Sequence, residues 1–133
     1  MQEFAIGQRL IITNNIRVME TYGKQFAVLF LDISYLDVLI AVRDHVHEGF
    51  RLLTHPLAGS MKPNQTPYRS IMLEKAAGLD YRSVELIESC ILTAEKFQRN
   101  RPTPNWNEKC LQDFRTVDLS FLKHVERVSV WAL

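Results

Sequence analysis

Three short apolar runs, separated by stretches of helical periodicity, constrain this chain more than any other feature. Arg9–Thr13 (RLIIT), Phe26–Leu31 (FAVLFL) and Phe50–Thr54 (FRLLT) are continuous rather than alternating. Continuous runs of this length fit strands buried on both faces. Between the first two, Ile16–Tyr22 reads as a short helix closed by Gly23. Between the second and third, Ser34 and Asp37 give a hydroxyl at an N-cap and an acid three residues on, a capping-box pattern. Leu36, Leu39, Ile40 and Val46 then share one helical face, and Gly49 stops it. Strand, helix, strand, helix, strand predicts parallel strands joined by right-handed crossovers.

The second half is less regular. His55–Arg69 (HPLAGSMKPNQTPYR) carries Pro56, Gly59, Pro63 and Pro67 and has neither a helical nor a strand period. Loops of this length are uncommon in compact domains and are often functional. Ser70–Glu74 (SIMLE) reads as a fourth strand. No helix precedes it, so an antiparallel pairing or an edge position is expected. Asp80 caps a predicted helix over Tyr81–Arg99, in which Val84, Ile87, Ile91 and Ala94 repeat at three- and four-residue steps. Arg101–Pro104 breaks it. Asn105 is the expected cap of a helix carrying Trp106, Cys110 and Phe114, and Asp118 that of a last turn through Leu119, Phe121 and Leu122. Val128, Val130 and Leu133 read as a short extended tail. The expectation is one α/β domain over residues 1–133, a small three-layer arrangement with a mostly parallel sheet of about four strands and C-terminal helices.

Composition excludes several classes of function. A chain of 133 residues can bury roughly two thirds of its unfolded surface without a disulfide or metal staple. Net charge is +1, whereas nucleic-acid and membrane-surface binders usually carry a clear basic excess. No apolar run approaches the roughly 20 residues of a membrane span. The first ten residues, MQEFAIGQRL, lack the pattern of a secretory signal. A cytoplasmic protein that binds neither nucleic acid nor membrane is expected. Cys90 and Cys110 stand in neither a CxxC nor a zinc-like spacing. They are expected to be reduced and unlinked, with Cys90 as a small buried hydrophobe. GxGxxG and GxxxxGK[ST] are both absent, so no cofactor and no metal are expected. Gly59-Ser60-Met61-Lys62 is a weak likeness of a phosphate loop, because it lacks the glycine spacing and leads into Pro63.

In open α/β sheets, ligands collect outside the carboxyl ends of the strands. Those ends carry Thr13, Asn14 and Asn15, then Asp32, then Thr54 and His55. Asn14 and Asn15 precede a helix, where free N–H groups can hold an anion; equally, one can cap the helix while the other forms a turn. His55 is the candidate catalytic residue, as a general acid or base with a pKa near neutrality, or else a histidine that hydrogen-bonds its own loop. The candidate ligand-binding set is Asn14, Asn15, Thr54, His55, Ser60, Lys62, Asn64, Thr66 and Tyr68. His45 and His47, two apart on a helix, point in different directions and make a poor metal pair, and His124 is isolated. Trp106, Phe114 and Phe121 read as core or as a dimer seam rather than a cofactor cradle.

Three segments resemble the GrdX family: Ile11–Asn15 (IITNN), Tyr35–Leu39 (YLDVL) and above all Leu52–Ser70 (LLTHPLAGSMKPNQTPYRS). The resemblance runs from about Arg9 to Phe97. It implies a cytoplasmic accessory protein linked to the glycine, sarcosine and betaine reductase gene clusters of anaerobic bacteria, and it brings no catalytic residue to carry over. A reductase itself would need selenocysteine or a reactive thiol pair. Three uses are therefore in competition. The first is a non-catalytic accessory protein binding a small anion, metabolite or peptide segment in the strand-end crevice. The second is a small hydrolase or transferase using His55. The third is a dimeric scaffold docking on a reductase subunit, with the Trp106 region as its seam.

Overall fold

The computed structural model describes residues 3–57 and 61–127. Four strands, β1 (Arg9–Thr13), β2 (Ala27–Phe30), β3 (Phe50–Leu52) and β4 (Ser70–Lys75), form one sheet in the order β2-β1-β4-β3. The helices are α1 (Ile16–Tyr22), α2 (Tyr35–His47), α3 (Tyr81–Asn100) and α4 (Glu108–Arg127). Local signals account for most of these boundaries. The Asn15 side chain accepts from the Arg17 N–H to cap α1, Ser34 Oγ accepts from Asp37 N at α2, and Asp80 accepts from Ser83 N at α3. Gly49, with φ +102, takes the left-handed conformation that lets the chain leave α2 and enter β3 at once.

The sheet is mixed, which corrects the expectation of a mostly parallel one. β1 and β2 are parallel, but β4 is antiparallel to both β1 and β3. The reason lies in β4 itself. It follows a loop rather than a helix, so it can return antiparallel, and Ser70, Ile71, Met72 and Leu73 are all buried. A strand whose side chains are buried on both faces is the pattern of a strand inside a covered sheet, and β4 lies between β1 and β3. It therefore sits inside the sheet rather than at an edge. β1, β2 and β3 still run the same way, so Thr13, Asp32 and Thr54 follow strand ends on one rim of the sheet.

Alternate strand residues feed two clusters. Leu10, Ile12, Ile71 and Leu73 pack with Val38, Leu39 and Val42 of α2 and Ile87 and Ile91 of α3. Ile11 and Met72 pack with Val18 and Tyr22 of α1 and Leu119 and Leu122 of α4. The period of two along the strands decides which residue joins which cluster.

The C-terminal region departs from expectation. Instead of a helix capped by Asn105 and a separate turn capped by Asp118, α4 is continuous from Glu108 to Arg127. Asn107 Oδ1 accepts from Cys110 N at its start. Asp118 lies mid-helix on the buried face, beside Leu119. The expected extended tail of Val128, Val130 and Leu133 lies outside the described residues. Cys90 and Cys110 are free thiols.

Candidate functional site

The sequence Thr13-Asn14-Asn15 leaves β1 and is buried throughout, so every polar atom there needs a partner. Asn14 joins three segments. Its Nδ2 donates to Ile33 O and to Pro67 O, both at 2.8 Å, and its Oδ1 accepts from Arg69 N at 2.9 Å. One side chain thus ties the end of the long loop to the start of α2. Asn15 turns the other way. Its Nδ2 donates to Arg115 O and to Asp118 Oδ2 on α4.

A chain of hydroxyls connects these groups. Asn15 N donates to Thr13 Oγ1 at 2.9 Å, the Thr13 and Ser70 hydroxyls lie 2.6 Å apart, and Ser70 Oγ donates to Asp118 Oδ2 at 2.6 Å. Ser70 N donates to Asp118 Oδ1 at 3.0 Å. Each hydroxyl has one proton, so the chain has a direction: Asn15 N–H to Thr13, Thr13 to Ser70, Ser70 to Asp118. It ends on Asp118 Oδ2, which accepts from both Ser70 Oγ and Asn15 Nδ2. Burial pushes the Asp118 pKa up, opposed by its hydrogen bonds to Ser70 and Asn15 and by the nearby Arg69.

Arg69 is 7% exposed. Its Nη2 donates to His55 O at 2.7 Å, its guanidinium lies 5.0 Å from the centre of the Phe121 ring, and its Nε is buried without a hydrogen-bond partner. With Asp118, Thr66, Tyr68 and Phe121 it lines a small cavity of about 50 Å³. A second, wider crevice of about 560 Å³ opens beside it, between the ends of β1 and β2 and the loop. Asn14, Asp32, Ser34, Tyr35, Tyr68 and Gln98 border this crevice, and Tyr68 borders both spaces. Burial raises the Tyr35 pKa to about 12, so its hydroxyl stays protonated.

The expected site residues fall into two groups. Asn14 and Tyr68 border the crevice, and Thr66 and Tyr68 the small cavity. The others act within the fold. Thr54 Oγ1 accepts from Met72 N. Asn15 caps α1, and its backbone N–H is taken by Thr13. Asn64 Nδ2 donates to Arg101 O and Phe97 O and so caps the end of α3. Lys62 is exposed, and its backbone N–H donates to Gln65 Oε1. His55 Nδ1 accepts from Leu57 N at 3.0 Å, and burial, then Arg69, lowers its pKa below 6.5. Ser60 lies outside the described residues. Trp106 packs on Phe114 and donates through Nε1 to Gln65 O, which fastens the loop to α4.

A protein-family model described as GrdX-like protein matches residues 10–126. The chain belongs to the GrdX-like protein family. The match extends well past Phe97 and includes nearly all of α4. Asp118 and Arg115 of this GrdX-like chain therefore lie inside the matched region, together with the loop they hold. Neither a curated protein nor a solved structure matches the chain.

The expected ligand-binding set omits Arg69, Ser70, Asp118 and Arg115. Arg115 Nη1 donates to Tyr68 OH at 2.6 Å and Arg115 pairs with Glu108. Only one trace of this was legible: an aspartate at an inward position of an amphipathic repeat, which looks like a helix cap until the helix is seen to continue through it. Among the described residues, no group of three or more His, Cys, Asp or Glu side chains is placed to hold a metal, and no helix is long and apolar enough to cross a membrane.

Proposed function

We propose that this GrdX-like chain is a non-catalytic accessory protein that binds a small polar metabolite or a peptide segment in the strand-end crevice, in the service of glycine or betaine reductase systems. The observation that carries the reading is the crevice itself. It has ligand-sized volume, it opens at the carboxyl ends of two parallel strands, and the loop that forms its other wall is pinned by Asn14. Asp32 is the one charged residue on its described lining. A carboxylate beside Tyr35 and Tyr68 favours a ligand with a positive group over a bare anion.

The state of His55 supports a binding role over acid–base chemistry. Its Nδ1 is occupied by the Leu57 N–H, and it borders neither the crevice nor the small cavity. The same reading takes the chain as one cytoplasmic domain with the sheet as the middle of three layers, because both hydrophobic clusters are built on that sheet.

The test is a thermal-shift titration of the purified protein with glycine, sarcosine, betaine and acetate, alongside the variant Asp32→Asn. An amine-bearing ligand should raise the melting temperature of the wild type, and acetate should not. Asp32→Asn should melt like the wild type without ligand and lose the response. No response to any of the four, or an equal response in the variant, overturns the reading.

A further inference from the structure

β2 is an edge strand, with β1 on one side and no strand on the other among the described residues. Edge strands are usually protected by a charge, a proline or a bulge. β2 has none of these. Phe26 to Leu31 is an uninterrupted apolar run, and Ala27, Val28, Leu29 and Phe30 are each only partly buried. We propose that two copies of this chain pair through β2, antiparallel about a twofold axis at Leu29, into one continuous sheet.

The backbone sets this register. Leu31 N donates to Thr13 O at 2.9 Å, and Phe30 is the registered neighbour of Thr13. The N–H and C=O groups of Leu29 and the N–H of Leu31 therefore face β1, and the N–H and C=O groups of Val28 and Phe30 face outward. With Leu29 opposite Leu29 of the second copy, Val28 stands opposite Phe30 of that copy, and the reverse. Every outward N–H and C=O of Val28 and Phe30 then gains a partner. The side chains agree. Leu29 packs with the cluster on one side of the sheet and Val28 with the cluster on the other. Each would meet an apolar residue across the axis, the pairing that stabilises antiparallel strands.

Charge supplies the direction. Lys24 precedes the apolar run and Asp32 follows it. Antiparallel pairing brings the basic end of one copy toward the acidic end of the other, whereas parallel pairing would place like charges together. A strand that carries opposite charges at its two ends and none between is complementary to itself.

The experiment uses the full chain. Sedimentation equilibrium should give a dimer that dissociates on dilution. In a Cys110→Ser background, Leu29→Cys should form a covalent dimer on mild oxidation. The two Cα atoms of this non-hydrogen-bonded pair would lie about 4.5 Å apart, within disulfide reach, and Val28→Cys should cross-link at least about tenfold more slowly. Hydrogen exchange at the Val28 and Phe30 amides should slow with rising protein concentration. A monomer at every concentration overturns the proposal, as does a dimer that Leu29→Cys fails to lock. Protection of both amides in a monomer also overturns it, because the chain's own residues would then cover the edge. None of these substitutions touches the crevice, so failure here leaves the ligand reading standing.

Discussion

Replacing Asp118 by Asn keeps the shape of the side chain, removes its titratable carboxyl and turns one acceptor into a donor. The substitution therefore tests whether the buried Ser70 N–H needs the carboxyl oxygen it meets at Asp118. In the wild type, Oδ1 accepts from Ser70 N, and Oδ2 accepts from Ser70 Oγ and Asn15 Nδ2. With the amide oxygen toward Ser70 Oγ and Asn15, the new NH₂ group faces the Ser70 N–H. Turned around, it faces the Asn15 amide and the Ser70 hydroxyl. The first orientation is the better one, and it leaves the buried Ser70 N–H without an acceptor, at a cost of about 1–3 kcal/mol. Relief of the carboxylate's desolvation, the largest influence on its raised pKa, offsets part of this. The expected net loss is about 1–2 kcal/mol, read as a lower urea midpoint at unchanged slope.

The pH dependence has a definite sign. A raised pKa means that the folded protein holds the Asp118 proton more tightly than the unfolded chain does. The stabilisation from that proton is complete below the ordinary value of 3.8 and is lost as pH rises through the higher folded value. The variant does not titrate at this position, so the wild type's advantage should widen on acidification. A variant as stable as the wild type at pH 7, or a gap that narrows in acid, would refute the reasoning.

Two further outcomes follow from the same contacts. Asn14→Ala removes the bonds to Ile33 O, Pro67 O and Arg69 N, so amide exchange in residues 66–69 should accelerate well beyond that of the α3 core, and unchanged exchange would mean that the loop is held elsewhere. His55, observed by NMR, should titrate with a midpoint below 6.5 because burial and Arg69 both lower its pKa; a group shifted this way stabilises the fold above pH 6.5 and loses that contribution as pH falls through the lower folded value, and a midpoint at or above 6.5 would contradict the loop conformation.

The site was only partly visible in the sequence. Asn14 and Tyr68 could be chosen because strand ends and irregular loops are where side chains reach ligands. Asn64 looked equally suitable, yet it caps α3, because a donor amide beside free helix-end carbonyls has a structural use that only proximity reveals. Asp118 was misread for the opposite reason. Aspartate is common at helix N-caps, and its partners, Asn15 and Ser70, lie far away in sequence.

What the sequence determined by itself is local. The continuous apolar runs set β1, β2 and β3, and the cap residues Asn15, Ser34 and Asp80 set three helix starts. Those signals act within a few residues, where sterics and capping bonds suffice. The tertiary structure decided the order of the strands and the fate of the polar residues. β4 inserts between β1 and β3, where its apolar residues are covered on both faces and its backbone pairs on both edges. Asp118 stays inside α4 because donors from two distant segments converge on it. A buried acceptor is tolerable only where such donors already point, and no local pattern records where that will be.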